Sequence, residues 1–444
     1  MAPDKPLTSG RARRALKMGG LASQVGSNYL WASLRRPFQD AAGRDQSLLA
    51  AHVKNARLIV EGSQELRGAF LKIIQMLSMR EDILPTAALE VMSTTQKSVP
   101  PMDYKIIAEQ IRRELGQGPE QLFRRFERVA FAAASLGQVH RATLADGQQV
   151  VVKVQYPGVR ETVEQDLKNL KLLLTTLKAI AHDLMRQKLE VRTLYAELDS
   201  RIREELDYRL EAANTMLFKQ LLADEPDIEI PTVVPALSSE RVLTMTFLDG
   251  YPLADVLAPG VDPALKEWLA RRYFTLMWRQ ILELGVLHTD PHPGNYLVTY
   301  HPTLGMLDFG SIRRFPEPIR RANLKLARGL LDDDARAMEQ ALTALGYLAR
   351  GQEPAPMVEI VRILFEPVRQ DRRFDPKKYD SVAKAAAVGE IALAHRLYAS
   401  PAHSVFLLRA LIGAEGIIRQ LGVVANYHRL FRECVEQAET RAQG

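Results

Sequence analysis

The chain has 444 residues, of which 47% are hydrophobic, and its formal net charge is +6. A chain of this length exceeds the size at which one hydrophobic core stops growing, so roughly two or three lobes are expected. The single cysteine, Cys434, excludes an internal disulfide framework and a multi-cysteine zinc site. The basic excess favours anionic partners (nucleotide, phosphate, nucleic acid or an acidic membrane surface) without choosing among them.

Long uncharged apolar stretches are missing from the sequence. The best candidates are Met18–Leu34, which is rich in small and polar residues, and Val405–Ile418, which Arg409 and Glu415 interrupt. We therefore predict no transmembrane helix. The basic start lacks an apolar signal core, so secretion is not expected. The predicted location is cytoplasmic, or peripheral to an inner membrane, and a mitochondrial interpretation of the Arg-rich start stays open.

The predicted elements begin with a basic segment, residues 1–45, for which partial order and a short helix from Arg11 are expected. Residues 46–124 have a helical pattern with proline breaks. A basic amphipathic helix in this part of the chain would pack on the rest of the protein, the commoner outcome, or lie on a membrane surface.

A strand pattern follows in residues 125–156. Strands are predicted at Phe126–Phe131, Gln138–Leu144 and Gln149–Gln155, and an Asp-Gly pair between the last two indicates a hairpin.

The rest of the chain alternates between helices and short strands. Residues 161–222 have a charged helical pattern, further strands are predicted at Val233–Val234 and Val242–Phe247, and Asp249-Gly250 indicates a turn or hinge. Beyond Pro263 the pattern is largely helical. This order predicts an α+β, protein-kinase-like bilobal fold. The predicted segments are a basic start (1–45), a helical extension (46–124), a kinase-like N-lobe with inserted helices (125–248) and a helical C-lobe (249–444).

The first residue that suggests chemistry is Lys153, a lone lysine within the run Val-Val-Val-Lys-Val. A charged side chain at the centre of a strand must leave the apolar face or find a partner. In protein kinases the strand lysine holds the α- and β-phosphates of ATP and pairs with a helix glutamate. Taken alone, the motif also fits an edge-strand lysine that faces water.

The second signal is His-Thr-Asp-Pro-His-Pro-Gly-Asn at residues 288–295. The spacing of Asp290 and Asn295 is that of the kinase catalytic loop, in which the Asp acts at the acceptor hydroxyl or attacking water and the Asn binds a metal ion. Thr289 replaces the usual arginine, which removes a common link to activation-loop phosphorylation. A rigid Pro/Gly turn and a histidine metal site are the simpler alternatives.

The third signal is Asp308-Phe309-Gly310, whose carboxylate would hold Mg²⁺ against the nucleotide phosphates. A lone Asp-Phe-Gly means little. Here Lys153, Asp290, Asn295 and Asp308 occur in the order and on the elements that a kinase requires. The basic segment that follows, Ser311–Arg328, fits a solvated helix face or a contact with phosphates or a membrane.

Further motifs depart from ordinary protein kinases. In place of a glycine-rich loop stands Phe-Ala-Ala-Ala-Ser at residues 131–135, and Glu-Glu-Leu-Asp-Tyr at residues 204–208 precedes a predicted helix. Together with residues 288–295, these motifs resemble those of the UbiB-type (aarF-domain, ADCK-like) atypical kinases. The resemblance extends from about Phe70 to Gly310, and more weakly to about residue 425.

The resemblance implies a role for each matching residue. Asp290 and Lys153 would be catalytic, Lys153 would pair with Glu211, and Asn295 and Asp308 would hold Mg²⁺. The implied ATP-binding residues are Ala132, Ala133, Ala134, Ser135, Lys153 and Glu211.

In the family, the carboxylates of an E-x-D motif meet an N-terminal K-x-G-Q motif. Glu205 and Asp207 match the first motif, and they would point to nearly opposite sides of an ideal helix. Lys72 and Gln75 match the second, although they also fit an exposed polar pair. Ile74 stands where the family has glycine, so the extension is expected to dock more loosely or at a shifted angle.

We expect ATP and Mg²⁺ as cofactors, and Mg²⁺-dependent ATP hydrolysis or phosphoryl transfer as the activity. The resemblance implies a setting in isoprenoid quinone (ubiquinone) biosynthesis or lipid homeostasis. The implied partners are an anionic membrane surface, a lipid or quinone precursor and quinone-biosynthesis proteins, with no nucleic acid expected. The alternatives are a nucleotide-gated scaffold or lipid-binding pseudokinase with little turnover, and a small-molecule phosphotransferase, against which the alanine-rich loop and the E-x-D motif argue.

Overall fold

The computed structural model describes residues 11–35, 39–66, 91, 101–134, 136–168, 170–171, 191–349, 351–395, 397 and 401–443. The strands in this part of the chain are β1 (Arg125–Phe126), β2 (Ala132–Ala134), β3 (Gly137–Thr143), β4 (Gln149–Gln155), β5 (Ile228–Glu229), β6 (Val242–Thr246), β7 (Gly250–Pro252), β8 (Val286–His288), β9 (Tyr296–Thr299), β10 (Leu304–Met306) and β11 (Ile312–Arg314).

The helices of the described residues are α1 (Arg11–Arg35), α2 (Ala41–Leu66), α3 (Tyr104–Leu115), α4 (Pro119–Leu122), α5 (Val191–Glu205), α6 (Tyr208–Leu221), α7 (Leu253–Val256), α8 (Pro263–Arg279), α9 (Glu317–Leu331), α10 (Ala335–Ala344), α11 (Ala355–Leu364), α12 (Glu366–Arg369), α13 (Ser381–Ala394), α14 (Ala402–Leu421) and α15 (Tyr427–Gln443). Residues 159–168 are also helical.

The chain divides into two compact units. The first unit comprises Met1–Ala212 and Val233–Phe247, and the second comprises Ala213–Thr232 and Leu248–Gly444. The division therefore falls within α6. The finer division into four segments stays a prediction.

An antiparallel sheet organises the first unit, with the order β1-β3-β4-β6 and β2 paired to β3. Successive side chains of a strand point to opposite faces, and β4 follows this rule. Val150, Val152 and Val154 are fully buried on one face, where Ile107 of α3 and Ile202 of α5 belong to the same core cluster. The other face of β4 carries Lys153, so the lysine avoids this apolar core.

The strand predicted at Phe126–Phe131 is wrong for most of its length. The amide of Glu127 bonds to the carbonyl of Arg141, and the amide of Phe131 bonds to the carbonyl of Val139. The first strand therefore has extra residues between these two bonds, and they bulge out of the ladder. Pairing resumes at the alanines of β2, which form a short strand instead of a loop.

The basic start contains a longer helix than expected. α1 has 25 residues. Leu21 and Val25 of α1 are buried in the same core cluster as Ala56 and Val60 of α2. Within the described ranges, every helix is too short or too polar to span a bilayer.

The second unit combines short sheets with a helical core. One sheet has the order β5-β10-β9-β7, and β8 pairs with β11. The core centres on aromatic contacts between α8 and α15, in which the rings of Trp278 and Phe431 lie 4.5 Å apart and those of Phe274 and Tyr427 lie 5.2 Å apart. These contacts fasten the C-terminal helix to the helix that precedes the candidate catalytic loop.

Aspartates fix the starts of several helices. Asp103, Asp262, Asp334 and Asp380 precede α3, α8, α10 and α13, and each side chain accepts a hydrogen bond from a backbone amide of the first turn. Such caps satisfy amides that have no partner within the helix. The sequence therefore encodes these boundaries locally.

Gly250, expected in a turn or hinge, is instead the first residue of β7 and pairs with Thr299 of β9. A Cβ atom on Gly250 would lie 2.4 Å from the Val298 carbonyl oxygen and 2.8 Å from the Thr299 Cα. Glycine is required here because the two strands approach closely, a use of glycine that resembles a turn signal in sequence.

We expect Gly250→Ala to lower the free energy of unfolding by about 1–3 kcal/mol, because the added methyl group forces the β7 and β9 backbones apart. Chemical denaturation measures this change. The matched control is Gly389→Ala in α13, where a Cβ atom meets nothing within 4 Å. That variant should be unchanged or more stable by up to about 1 kcal/mol. Equal stability of the two variants would contradict the close-approach explanation.

Candidate active site

The lysine of β4 forms an ion pair with a glutamate of α6. Lys153 Nζ lies 2.8 Å from Oε1 and 2.9 Å from Oε2 of Glu211. The lysine side chain is 13% exposed and the glutamate side chain 4%. The ammonium group also lies 5.0 Å from the ring centre of buried Tyr208, a cation–π distance. The structure thus brings together the lysine and the glutamate that the resemblance implied.

The start of α6 sets the position of Glu211. Asp207 caps the helix, because its Oδ1 accepts hydrogen bonds from the amides of Arg209 at 3.0 Å and Leu210 at 3.3 Å. The amide of Tyr208 bonds to the carbonyl of Glu240 at 3.0 Å. Both interactions hold the first turn of α6, which contains Glu211.

The two carboxylates of the E-x-D motif do not share a helix. Glu205 is the last residue of α5, and Asp207 precedes α6. The geometry of one ideal helix therefore does not apply to this pair, because α5 ends at Glu205 and Leu206 lies in a turn before α6. The positions of Lys72, Ile74 and Gln75 lie outside the described residues.

The alanines of the predicted ATP-binding loop form β2, which pairs with Gly137–Val139 of β3. Ala132 and Ala133 are exposed, and Ala134 is half-buried. Ser135 lies outside the described residues. The alanine segment thus presents small side chains from a regular strand.

The candidate catalytic loop is anchored by the residues at its start. His288 Nε2 donates to the Asp308 carbonyl at 2.6 Å, and the His288 amide donates to Gln280 Oε1 at 2.8 Å. The Thr289 hydroxyl lies 2.8 Å from the Ser311 hydroxyl, and the Thr289 amide donates to the Ser311 carbonyl at 2.9 Å. The loop is therefore fastened to the first residue of the Asp-Phe-Gly segment and to the residue that follows the segment.

Asp290 and Asn295 meet within this loop. Asn295 Nδ2 donates to the Asp290 carbonyl and to Asp290 Oδ2, each at 3.0 Å. The amide group of Asn295 thus uses its nitrogen on Asp290, which directs its oxygen away from that carboxylate. The Asp290 side chain is 31% exposed, whereas Thr289 just before it is fully buried. A second donor to Asp290 comes from Arg409 of α14, at 3.0 Å from Oδ1.

The Asp-Phe-Gly segment is held mainly by its phenylalanine. Phe309 is fully buried, with its ring 5.0 Å from that of Phe218 and 5.8 Å from that of His288. Its carbonyl accepts a hydrogen bond from Asn214 Nδ2 at 3.0 Å. Asp308, beside it, is half-buried, and its Oδ1 accepts from the Gly310 amide at 2.9 Å.

Buried tyrosines lie behind the loop. Burial raises the pKa of Tyr273 and of Tyr296 well above the ordinary value, and the negative charge of Asp290 acts in the same direction. Both phenols therefore stay neutral at physiological pH.

Both histidines of the loop form hydrogen bonds with backbone groups. His288 donates to the Asp308 carbonyl, and Nδ1 of His292 accepts from the Gly294 amide at 3.0 Å. These bonds argue against the histidine metal site that the H-x-D-P-H spacing allowed. Among the residues that the structure describes, no group of three or more His, Cys, Asp or Glu side chains is arranged to hold a metal ion.

The oxygen donors of Asn295 and Asp308 nevertheless fit Mg²⁺ in a nucleotide complex. Mg²⁺ prefers oxygen ligands, keeps several waters and is usually bound through one or two protein side chains plus substrate phosphates. The amide oxygen of Asn295 and the carboxylate of Asp308 are oxygen donors of this kind, and their binding of Mg²⁺ stays a prediction.

The basic run after Gly310 is partly neutralised by acids. Arg320 and Arg321 pair with Glu317, and their hydrogen bonds lower the pKa of that carboxyl to about 2. Arg328 pairs with Glu439 of α15. These contacts favour the solvated helix face over a phosphate or membrane contact.

A lysine–glutamate pair on a sheet and a helix, with an Asp-to-Asn loop ahead of Asp-Phe-Gly, defines a kinase-like protein. Residues 94–342 match the ABC1 atypical kinase-like domain, more than half of the chain. The chain therefore belongs to the ABC1 (UbiB/ADCK/COQ8) family of atypical kinases. This confirms the resemblance and the kinase-like α+β fold predicted from the sequence.

Individual relatives agree with this assignment. The mitochondrial atypical kinase COQ8 of Saccharomyces cerevisiae is 30% identical over 95% of this chain and 84% of its own length. The mitochondrial atypical kinase COQ8B of Rattus norvegicus is 31% identical over 93% of this chain and 78% of its own length. The structure of Rv3197 of Mycobacterium tuberculosis with erythromycin has a TM-score of 0.62 at 25% identity, and the match covers 88% of this chain and 98% of that one.

Sequence reasoning missed three residues of this arrangement. Tyr208 is the last residue of the Glu-Glu-Leu-Asp-Tyr motif, but no role was assigned to it from the sequence. Asn214 lies three positions after Glu211, a spacing that places both on neighbouring turns of one helix face and could have indicated a shared role. Arg409 lies 119 positions from Asp290, so no local pattern could link them.

We expect Lys153→Met to lower the free energy of unfolding by about 3 kcal/mol, because it leaves a buried Glu211 carboxylate without its cation. Combining Lys153→Met with Glu211→Gln should cost less than the sum of the single variants, with a coupling energy of about 1–3 kcal/mol. Urea denaturation of the four proteins measures the cycle. The control pair is Arg113 and Glu109, which are 66% and 46% exposed and should couple by less than about 0.5 kcal/mol. Additive effects at Lys153 and Glu211 would contradict the pairing.

Proposed function

We propose that this protein binds ATP together with Mg²⁺ and, as an atypical kinase or ATPase, hydrolyses it or transfers its γ-phosphoryl group. The observation that carries this proposal is the orientation of Asn295. Its amide nitrogen donates twice to Asp290, which leaves its oxygen as the atom available for a cation. Membership of an atypical kinase family supports the same reaction class.

Lys153 is proposed to bind the nucleotide phosphates. The buried carboxylate of Glu211 holds the ammonium group of Lys153 in a fixed direction, and lysine ammonium groups commonly bind phosphate oxygens. Glu211 would then act through Lys153 by holding it in place. Ala132–Ala134 would border the nucleotide with small side chains.

Asp290 is proposed to orient the hydroxyl or water that attacks the γ-phosphorus. Phosphoryl transfer passes through a loose transition state, so positioning and charge stabilisation contribute more than base strength. When bound, Mg²⁺ would supply neutralisation of the phosphate charge, held by Asn295 and Asp308. The fastened loop keeps these oxygen donors at fixed positions.

We propose isoprenoid quinone biosynthesis or lipid homeostasis at a membrane surface as the biological setting. The resemblance to UbiB-type kinases and the COQ8 relatives supports this setting. A peripheral membrane contact is favoured by α1, whose Leu30, Trp31 and Leu34 are each more than half exposed. Such side chains insert readily at a lipid interface when a helix lies in its plane.

The second candidate is a nucleotide-gated scaffold or lipid-binding pseudokinase with little turnover. The exposed apolar residues of α1 favour this candidate as well, since a lipid contact does not require catalysis. The two candidates differ in whether the metal-binding carboxylate is needed for release of phosphate.

We expect Asp308→Asn to lower Mg²⁺-dependent ATP turnover by about 100-fold or more, because it removes a charged ligand that stabilises the transferring phosphoryl group. Phosphate release measures turnover, with and without vesicles that contain anionic lipid. The control is Asp371→Asn, an exposed carboxylate that pairs with Arg429. It should retain wild-type turnover.

Stimulation of the wild type by anionic vesicles would support the membrane setting. Tight binding of Mg²⁺–ATP without turnover, by the wild type and both variants under all conditions, would favour the scaffold. Absence of nucleotide binding would overturn both candidates.

A further inference from the structure

The carboxylate of Asp290 is held from two directions. Asn295, on the same loop, donates to Oδ2, whereas Arg409 of α14 donates to Oδ1 through Nη2 at 3.0 Å. Asp290 and Arg409 are 31% and 28% exposed. Both carboxylate oxygens therefore have a donor, and one donor comes from a helix near the end of the chain.

A glycine lets α14 come close enough for this contact. A Cβ atom on Gly413 would lie 2.3 Å from Cγ of Pro291, the residue after Asp290. Gly413 and Arg409 are one helical turn apart, so they share a face. Any larger side chain at this position must push the helix away from the loop, and the guanidinium group would move with it.

A third residue of the same face contacts the strand beyond the Asp-Phe-Gly segment. The guanidinium group of Arg313, in β11, lies 4.4 Å from the ring centre of Phe406. Phe406 precedes Arg409 by three positions and therefore lies on the same side of α14. The helix thus covers the catalytic loop and β11 with one continuous face made of Phe406, Arg409 and Gly413.

The loop has no arginine of its own before Asp290. Thr289 occupies that position, and its hydroxyl group binds Ser311. Between Asp290 and Asn295 the loop contains only Pro, His, Pro and Gly. Arg409 of α14 therefore supplies a cation beside Asp290 that the loop itself does not contain.

We propose that Arg409 is a positioning residue for Asp290, and that Gly413 permits α14 to keep it there. This inference rests on the proposed role of Asp290 in phosphoryl transfer. An ion pair as exposed as this one contributes little to the stability of the fold. We therefore expect its main effect to be on the orientation of the Asp290 carboxylate. A carboxylate restrained at both oxygens presents one fixed lone-pair direction to the attacking hydroxyl or water, and misplacement of a reacting group by about 1 Å can lower a rate about 100-fold.

Steady-state kinetics of Mg²⁺-dependent ATP turnover test the proposal. Arg409→Ala should lower kcat about 10- to 100-fold with KM for ATP changed by less than about twofold, because the loop acts after the nucleotide is bound. Arg409→Lys should recover part of the loss, since lysine retains a charged donor. The control is Arg419→Ala on the same helix, whose arginine is 45% exposed beside Glu415 and should leave kcat unchanged.

Gly413→Val supplies an independent perturbation. It keeps Arg409 but displaces α14 from Pro291, so kcat should fall in the same way. Combining Gly413→Val with Arg409→Ala should then lower kcat little further than either change alone. If the two losses in kcat multiply in the double variant, Gly413 and Arg409 do not act through the same contact, and the proposal is wrong. Thermal unfolding identifies any variant that fails to fold.

Hydrogen exchange of the peptide that contains residues 288–295 tests whether Arg409 restrains the loop, and it does not require ATP turnover. Arg409→Ala should speed exchange in this peptide by about tenfold, whereas Arg419→Ala should leave it unchanged. If the wild type does not turn over ATP, the enzymatic form of the proposed function fails, and the exchange result still supports or overturns the role of Arg409. Unchanged exchange in Arg409→Ala would overturn positioning, whether or not kcat falls.

Discussion

The buried carboxylate of Glu211 is the constraint around which the first unit is arranged. At 4% exposure an ionised glutamate requires a partner, and Lys153 provides it with both carboxylate oxygens within 3 Å of Nζ. The ion pair fixes the position of the first turn of α6 relative to β4. The Asp207 cap and the Tyr208 ring support the same turn, so cap, cation–π contact and ion pair all specify one position for the lysine.

In the second unit, hydrogen bonds to the backbone hold the loop that carries Asp290. His288 and Thr289 use side chain and main chain to fasten the loop to residues on both sides of Phe309. The buried ring of Phe309 anchors Asp308 next to it. Asp308 is therefore positioned by the buried Phe309, and Asp290 is positioned by the hydrogen-bonded residues before it. Asp290 itself stays partly exposed to solvent.

The contacts of the loop differ from those of kinases that are regulated through an activation loop. Those enzymes link the residue before the catalytic aspartate to a phosphorylated segment, whereas Thr289 here binds Ser311 directly. The positive charge next to Asp290 comes from α14, and its position depends on a glycine and on helix packing. Packing of α14 is thus connected to the candidate catalytic residue through Arg409.

The sequence alone determined the elements and motifs that depend on local chemistry. The strand at Gln149–Gln155 and the Asp290-to-Asn295 spacing were predicted from residues close together in the chain. The helix starts at Asp103, Asp207, Asp262, Asp334 and Asp380 are encoded in the same local way, although they were not predicted from the sequence. The pairing of Lys153 with Glu211 followed only from family resemblance. Tertiary structure alone decided that the alanines form a strand, that Gly250 lies in a ladder and that Arg409 reaches Asp290. These features depend on contacts between residues far apart in the chain or on strand register, which local propensity does not specify.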